Sequence, residues 1–290
     1  MRGIILAGGS GTRLHPLTIS TSKQLLPVYD KPMIYYPLSI LMIAGIREVL
    51  LITTEKDIDS YILLLGDGSQ FGISIEYKIQ KKPNGLAEAF ILGEDFIGSQ
   101  NVCLILGDNL FYGHGMQKIL LEAKKEVETN YNAQVFGVEV ASPKDFGIAK
   151  IDGNGKVISV EEKPIKPQSN IAITGLYFYP NNVIEYAKKI KPSKRGELEI
   201  TSVNQKYLDQ KKLHLKKLPR GVSWFDTGTH DDLVDASYFI KTIEKKTNLK
   251  IACLEEIAVN FKWISKEDVL NNIQFKKGVY YDYVSKKLKL

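Results

Sequence analysis

Short apolar runs alternate with helical stretches through the first half of the chain. The runs are rich in Ile, Val and Leu, and the segments between them carry apolar residues at three- and four-residue spacing. The predicted strands are Gly3–Ala7, Val49–Thr53, Ile75–Ile79, Val102–Leu106 and Gln134–Val140, and the predicted helices are Ile34–Ala44, Asp57–Leu65, Leu86–Phe96 and Gly115–Glu128. This alternation predicts an α/β fold with a mostly parallel sheet flanked by helices on both faces.

The second half has a different pattern, in which strands are separated by turns such as Asp152-Gly153-Asn154-Gly155 and so favour antiparallel hairpins. Its predicted strands are Ile148–Ile151, Val157–Glu161 and Thr174–Tyr179, and its predicted helices are Asn181–Ile190, Glu199–Asp209 and Asp231–Lys246. From about residue 250 we expect two short helical stretches and a Tyr- and Lys-rich end. We therefore divide the chain into a core (1–240, in halves 1–140 and 141–240) and a small helical C-terminal lobe (241–290).

The net charge of +6 is concentrated near the end of the chain. Residues 241–290 hold 11 of the 39 basic and 6 of the 33 acidic side chains. A solvated lysine surface explains this better than a polyanion-binding face, because no zinc-finger, helix-turn-helix or basic-zipper pattern accompanies it. We expect no nucleic-acid partner.

Membrane and secretion features are also not expected. The apolar stretch Met33–Ile46 is shorter than the ~18–20 residues of a membrane helix and contains Pro37. The chain starts directly with Gly3–Ala7, without the basic-then-apolar pattern of a secretion signal. The chain has only two cysteines, Cys103 and Cys253, which are too few for a disulfide framework or a zinc cluster. Hydrophobic residues make up 44% of the chain, which suffices for a globular core. These features favour a soluble, cytoplasmic protein.

A glycine-rich segment, Gly8–Arg13, follows the first predicted strand, at the sheet edge where α/β proteins bind ligands. Its three glycines let backbone N–H groups approach and cradle an anion. The segment ends in Gly11-Thr12-Arg13 rather than the Gly-Lys-Ser/Thr of a P-loop, and Leu14 stands where a dinucleotide fingerprint has its third glycine. Arg13 beside such a cradle suits a polyphosphate that leaves with growing negative charge. The alternative is a tight turn with a surface arginine.

Three further charged residues suit phosphate chemistry. Lys23 lies twelve residues beyond Gly11, close enough for a loop to return it to the same phosphates, although a solvated helix end is the alternative. Asp108 and Asp226 follow strands predicted to be buried, one from each half of the core, as a divalent ion that bridges phosphates would require. For either aspartate alone, a helix cap or a turn is the alternative.

Together these segments resemble the sugar-phosphate nucleotidyltransferase family over almost the whole chain. The matching segments are Gly8–Leu14, Ser22–Ser39, Pro83–Ala89, Leu106–Gly115, Glu161–Pro164, Thr174–Tyr177, Arg195–Thr201 and Trp224–Thr229. Each segment alone is modest evidence, but their order and spacing are specific. Within the family, the chain resembles members that use Mg²⁺ to join dTTP to α-D-glucose 1-phosphate and release pyrophosphate, at the start of dTDP-L-rhamnose (deoxysugar) synthesis.

The resemblance implies a Rossmann-like core with a nucleotide-binding half (1–140) and a sugar-binding half (141–240). It also implies a homotetramer, to which the 241–290 lobe contributes, and inhibition by a dTDP-sugar at a second site between subunits. No general base is required, because the sugar phosphate already carries an anionic oxygen at neutral pH. In this hypothesis Lys163 holds the attacking phosphate, Arg13 neutralises the departing pyrophosphate and Lys23 steadies the α-phosphate.

Site residues follow from the resemblance position by position. Those implied for nucleotide binding are Leu6, Gly8, Gly9, Gly11, Thr12, Arg13, Lys23, Gln24, Gln80, Gly85, Leu86 and Asp108. Those implied for the sugar phosphate are Asn109, Gly147, Glu162, Lys163 and Tyr177, and those implied for the metal are Asp108 and Asp226. Three residues depart from the usual pattern. Phe146 stands where a Tyr is common, so we expect one sugar-side hydroxyl contact to be missing, and Asn84 and His15 also differ.

Other functions stay open on the sequence alone. The same chemistry with UTP or another sugar 1-phosphate is one, since a single base methyl is worth only ~1–3 kcal/mol. A non-catalytic nucleotide-sugar sensor is another, although it would be free to lose Arg13, Lys23 and Lys163. A glycosyltransferase would usually carry two close carboxylates after the fourth strand, where this chain has Asp108-Asn109. The remaining histidines (His114, His214 and His230) accompany no nucleophile, so covalent hydrolysis is disfavoured.

Overall fold

The computed structural model describes residues 1–9 and 11–289, so Ser10 in the glycine-rich segment and Leu290 lie outside the described residues. The strands are β1 (Arg2–Ala7), β2 (Pro27–Val28), β3 (Lys31–Pro32), β4 (Glu48–Thr53), β5 (Ser74–Ile79), β6 (Val102–Leu106), β7 (Asn109–Gly113), β8 (Ala133–Glu139), β9 (Gly147–Ile151), β10 (Val157–Glu162), β11 (Ile171–Tyr179), β12 (Leu213–Lys217) and β13 (Val222–Asp226). The α-helices are α1 (Tyr35–Ile43), α2 (Ile58–Leu65), α3 (Glu88–Leu92), α4 (Glu94–Ile97), α5 (Met116–Asn130), α6 (Val183–Lys189), α7 (Ile200–Asp209), α8 (His230–Thr247), α9 (Leu254–Asn260), α10 (Lys266–Ile273) and α11 (Val279–Lys289).

A nine-stranded sheet forms the centre of the molecule. Its main path runs β10-β9-β11-β6-β1-β4-β5, and β8 pairs with the other edge of β11 and with β12. Strands β6, β1, β4 and β5 are parallel, as predicted, and β12 is parallel to β8. Strand β11 runs antiparallel to both β6 and β8 and separates them. The mostly parallel sheet is therefore confirmed, with β11 reversed near its middle and β10 reversed at one edge.

Two apolar layers cover the sheet, one on each face. Along β1, Ile5 faces a cluster built with α1, α2, α5 and α9, whereas Ile4 faces a second cluster built with α3, α6 and α7. Both isoleucines are fully buried. A strand covered on both faces must be apolar at every position, which explains the unbroken apolar runs in the first half of the sequence.

Three details of the predicted elements were wrong. The predicted helix over 86–96 is two short helices, α3 and α4, which break at Gly93, where a side-chain carbon would lie about 3 Å from the Ile4 and Leu50 side chains. The end of the chain forms a third helix, α11, whose apolar residues Tyr280, Val284 and Leu288 recur every fourth position. Strands β2, β3, β7 and β12 were missed, and β13, which was expected only as a buried strand before Asp226, pairs with β7 outside the main sheet.

A closed ring of charges joins the β2–β3 hairpin to the end of α8. Lys31 Nζ lies 2.5 Å from Asp30 and 2.9 Å from Glu244, and Lys250 contacts the same two carboxylates. Glu244 also accepts a hydrogen bond from the Ile251 N–H at 2.9 Å. Lys31 and Glu244 are only 2% and 4% exposed, so this charge ring is part of the interior. The division of the chain at residue 240 falls within α8 and stays a prediction.

Candidate active site

The glycine-rich segment turns sharply at the carboxyl end of β1. Gly9 and Gly11 have φ values of 105° and 59°, a backbone region that side chains disfavour, so glycine is required for this turn. The Thr18 hydroxyl donates to the Gly11 carbonyl at 2.7 Å and holds the turn in place. Thr12 and Arg13 begin a short 3₁₀ helix and are exposed, with Arg13 lining the cleft beside the turn.

Strands β7 and β13 bring the two predicted metal ligands together. Asp226 lies opposite Asn109 in the register of this pair, which places it beside Asp108. The Thr227 hydroxyl and N–H both donate to the Asp108 carbonyl, at 2.9 and 3.3 Å. Asp226 is the last residue of β13, a half-buried strand rather than the buried strand that was predicted. The pairing of two strands distant in sequence therefore builds the acidic pair.

Lys23 neutralises one of these carboxylates. Its Nζ lies 2.7 Å from Asp108 Oδ2, and both side chains are largely buried. Burial alone would raise the pKa of Asp108, but the Lys23 ammonium and the Asn109 amide hold it below its ordinary value. Burial and the neighbouring Asp108 charge raise the pKa of Asp226 to about 7. The charges of Lys23 and Arg13 oppose this rise but do not cancel it, so a further positive charge would favour the ionised form of the pair.

The acidic pair fits a divalent cation, which would supply that charge. Among residues 1–9 and 11–289, no group of three or more His, Cys, Asp or Glu side chains is placed to hold a metal. A cation that keeps water and takes phosphate oxygens as its other ligands needs only one or two protein carboxylates. Asp108 and Asp226 meet that need.

Asn109 acts as a structural junction beneath the pair. Its Oδ1 accepts from the Trp224 indole N–H at 2.7 Å and from the Gly175 N–H at 3.0 Å, and its Nδ2 donates to Asp108 at 3.0 Å. It is only 1% exposed. The side chain predicted to meet the sugar is therefore largely engaged within the protein.

The opposite wall of the cleft is built on β9 and β10. Glu162 lies opposite Gly147 in this pair, and a side chain at 147 would come within 3.1 Å of both Glu162 Oε2 and Thr201 Oγ1. Thr201 donates to Glu162, and Arg195 lies 3.6 Å from its other oxygen. Burial raises the pKa of Glu162 despite the Thr201 hydrogen bond. Gly147 thus leaves room for a hydrogen-bonded carboxylate that faces the cleft.

Lys163 projects from the end of the same wall. Its φ of 42° is unusual for a side-chain-bearing residue, and its N–H donates to the Phe146 carbonyl at 3.0 Å. Phe146 packs edge-on against Trp224, with ring centroids 5.4 Å apart. Tyr177 is 4% exposed and stacks on Tyr179 at the floor of the cleft. Burial and the charge of Glu162 raise the pKa of Tyr177, so its hydroxyl stays protonated.

At the far end of the cleft, Gln80 follows β5 and is buried. Its Nε2 donates to Glu88 at 2.7 Å, and Glu88 also accepts from Asn84 at 2.7 Å. Gly85 has a φ of 105°, and a side-chain carbon there would lie 2.5 Å from the Leu198 N and O atoms. The Leu198 N–H donates to the Asn84 carbonyl, and the Leu198 carbonyl accepts from the Ala87 N–H. These two hydrogen bonds tie the 84–87 loop to the segment just before α7.

One cleft of about 520 Å³ collects most of the predicted residues. Those that line it are Gly8, Gly9, Gly11, Thr12, Arg13, Lys23, Gln24, Leu86, Asp108, Asn109, Gly147, Glu162, Lys163, Tyr177 and Asp226. Three others do not line it. Leu6 is buried in β1, Gly85 packs on Leu198, and Gln80 lines an adjoining cavity that meets the cleft at Gly9 and Pro83.

Arg195, Thr201, Trp224 and Glu88 also belong to the site and were not predicted. Arg195 is held by Glu197 at 2.8 Å, and with Thr201 and Trp224 it lines the cleft. The first three lie in segments that carry the family resemblance, which was the available signal. Glu88 also lies in a matching segment, Pro83–Ala89, but its contact with Gln80 depends on how α3 is placed against β5.

The comparisons with known proteins agree with this site. The family model described as "Nucleotidyl transferase" matches residues 2–243. The chain therefore belongs to the nucleotidyl transferase family, and it is a nucleotidyltransferase enzyme. Enzymes of this family generally use a divalent metal, and a nucleotide and a sugar phosphate fit them as substrates.

Two similar relatives within the family carry the same name. The chain is 55% identical to the glucose-1-phosphate thymidylyltransferase of Neisseria meningitidis over 92% of each chain, and 49% identical to that of Mycobacterium tuberculosis over 98% of each. A crystal structure described as a Bacillus anthracis glucose-1-phosphate thymidylyltransferase with bound sucrose superimposes with a TM-score of 0.75 at 40% identity, covering 82% of this chain and 94% of that one. No helix of the described residues is long and apolar enough to cross a membrane.

Proposed function

We propose that the chain transfers a thymidylyl group from dTTP to α-D-glucose 1-phosphate and releases pyrophosphate, the entry reaction of dTDP-L-rhamnose synthesis. One observation carries the proposal: a single cleft holds the glycine-rich segment, the Lys23–Asp108–Asp226 cluster and Lys163. A cleft of this kind suits two phosphorylated substrates. The names of the relatives support the choice of dTTP and glucose 1-phosphate.

Each cationic residue has a separate role in this mechanism. Lys163 binds the phosphate of glucose 1-phosphate and directs its anionic oxygen toward the α-phosphorus. Lys23, fixed by Asp108, steadies the α-phosphate, and Arg13 with the glycine N–H groups takes up the charge of the departing pyrophosphate. Mg²⁺ held by Asp108 and Asp226 would neutralise negative charge on phosphate oxygens. Catalysis thus rests on positioning and electrostatics.

On the sugar side, Glu162, Tyr177 and Thr201 supply hydrogen-bonding groups for hydroxyls. Gly147 keeps the wall open for them, and the Phe146–Trp224 pair forms an apolar edge. A phenylalanine at 146 offers no hydroxyl to the sugar. The base of the nucleotide binds between Gly9, Leu86 and Gln80, where the two cavities meet.

The test measures pyrophosphate release by the purified protein with glucose 1-phosphate and Mg²⁺, comparing dTTP, UTP, CTP, ATP and GTP. Release that is fastest with dTTP and stops on addition of EDTA is expected. Faster release with UTP would keep the mechanism and change the nucleotide. No release with any nucleotide, from protein that still binds a dTDP-sugar, would indicate a sensor.

For assembly and location, we propose a homotetramer in the cytoplasm, inhibited by a dTDP-sugar between subunits. Exposed apolar side chains in the C-terminal lobe, Phe275 (86%) and Val279 (76%), support a contact role for that lobe. Light scattering with size-exclusion chromatography measures the assembly, and Phe275→Ser is expected to weaken it. A monomer at micromolar concentration would contradict the tetramer.

A further inference from the structure

Glu88 holds both amide side chains of the base-binding end. Its Oε2 accepts from Gln80 Nε2 at 2.7 Å, and its Oε1 accepts from Asn84 Nδ2 at 2.7 Å. A carboxylate only accepts hydrogen bonds, so each amide must turn its NH₂ group toward Glu88. Each amide oxygen then points away from Glu88.

For Gln80, this orientation directs the oxygen to the glycine-rich segment. Gln80 Oε1 lies 3.0 Å from the position that a side-chain carbon on Gly8 would occupy. The residue is only 7% exposed and its Nε2 is bound by Glu88, so the side-chain amide has little freedom to move. The wall beside Gly8 and Gly9 therefore presents a fixed acceptor.

We propose that Glu88 is a positioning residue that selects thymine or uracil over cytosine by locking the Gln80 amide with its oxygen toward the base. Thymine and uracil carry an N–H at N3, which donates to that oxygen. Cytosine carries a lone pair at N3, which the oxygen repels. The inference rests on the proposed function, because it assigns the base to this end of the cleft.

The lock depends on the hydrogen-bond acceptor at position 88. Without Glu88 the Gln80 amide is free to rotate and to present its NH₂ group, which suits N3 of cytosine. A glutamine at 88 retains one carbonyl oxygen that still accepts from Gln80. An alanine at 84 removes only the second hydrogen bond of Glu88 and leaves Gln80 locked.

The experiment compares kcat/KM for dTTP and dCTP in the parent protein and in Glu88→Ala, Glu88→Gln and Asn84→Ala. Glu88→Ala is expected to lower the dTTP preference about tenfold through KM, with kcat for dTTP within about twofold of the parent. Glu88→Gln should keep most of the preference, and Asn84→Ala should keep all of it. Should Glu88→Ala fail to fold, Glu88→Met keeps the volume without the acceptor and carries the same expectation.

An unchanged preference in Glu88→Ala would overturn the inference, as would an equal loss in Asn84→Ala. Calorimetric binding of dTTP and dCTP without sugar gives a second readout of the same preference. This readout separates the role of Glu88 from the proposed reaction. If the parent protein releases no pyrophosphate, the proposed reaction is refuted. If that protein still binds dTTP more tightly than dCTP, and Glu88→Ala loses this preference, the role of Glu88 is supported.

Discussion

Arg13 can be tested apart from the fold. It is exposed, and within the described part of the chain it makes no ion pair, so its removal leaves packing intact. We expect Arg13→Ala to lower kcat about 10²- to 10³-fold, because charge on the leaving pyrophosphate loses its partner. Steady-state pyrophosphate release measures this. The control is Lys118→Ala, which changes an 83% exposed side chain of α5 and should leave the rate unchanged. A near-normal rate in Arg13→Ala would remove Arg13 from the mechanism.

Gly147 is expected to control access to the sugar wall. In Gly147→Ala the new methyl would lie 3.1 Å from Glu162 and Thr201 and push apart their hydrogen bond. The expected result is a rise of about tenfold or more in KM for glucose 1-phosphate, with KM for dTTP little changed. Gly153→Ala is the matched control, because nothing lies within 4 Å of its methyl. Equal KM values in the two variants would count against this role.

For individual residues, the sequence predicted which side chains belong to the site better than it predicted the contacts that those side chains make. The glycine turn, Lys23 and the two aspartates come together in the cleft as expected. Asn109 lines the cleft, and its Oδ1 accepts from the Trp224 indole N–H, 115 residues further along the chain, so its contact with the sugar stays a prediction. Which partner an amide takes depends on tertiary placement, and no local pattern encodes it.

At the level of secondary-structure elements and the loops that join them, the packing of the 84–87 loop against Leu198 can be tested by substitution. Alanine at Gly85 would be strained at φ 105° and would place its methyl 2.5 Å from the Leu198 N and O atoms. We expect Gly85→Ala to lower the free energy of unfolding by about 2–5 kcal/mol and to raise KM for both substrates. Gly155→Ala, at φ 81° with nothing within 4 Å, should cost only about 1–2 kcal/mol. Urea unfolding measures the free energy of unfolding of both variants. Equal losses would show that the backbone strain of a positive φ acts alone, without a clash against Leu198.

Elements with a strong internal period were predicted within a few residues. The β6 prediction, Val102–Leu106, agrees at both ends. Strand β7 was missed, and β13 was expected without bounds and as a buried strand, because each is short and is stabilised by the other rather than by its own pattern. The break at Gly93 was missed because the apolar spacing continues through it, while the close approach to the sheet is a tertiary effect.

On the scale of the whole molecule, the charge ring ties the C-terminal lobe to the hairpin that follows Lys23. We expect Glu244→Gln to lower the free energy of unfolding by about 3–5 kcal/mol, because two largely buried lysines would then share Asp30 alone. Glu185→Gln is the control, since its pair with Lys189 is exposed and should contribute at most about 1 kcal/mol. Denaturant titration measures both, and a loss no larger than that of the control would contradict an interior role for the ring.

The β7–β13 pair also has a consequence for how the protein is made. Its two strands leave the ribosome far apart in time, since Trp224 follows Asn109 by 115 residues. At a synthesis rate of about 5–20 residues per second, β7 waits on the order of 10 s for its partner. During that interval the nascent chain exposes an unpaired strand edge, and Asp226 has not yet reached Asp108. The two aspartates proposed to hold the metal therefore come together only late in translation.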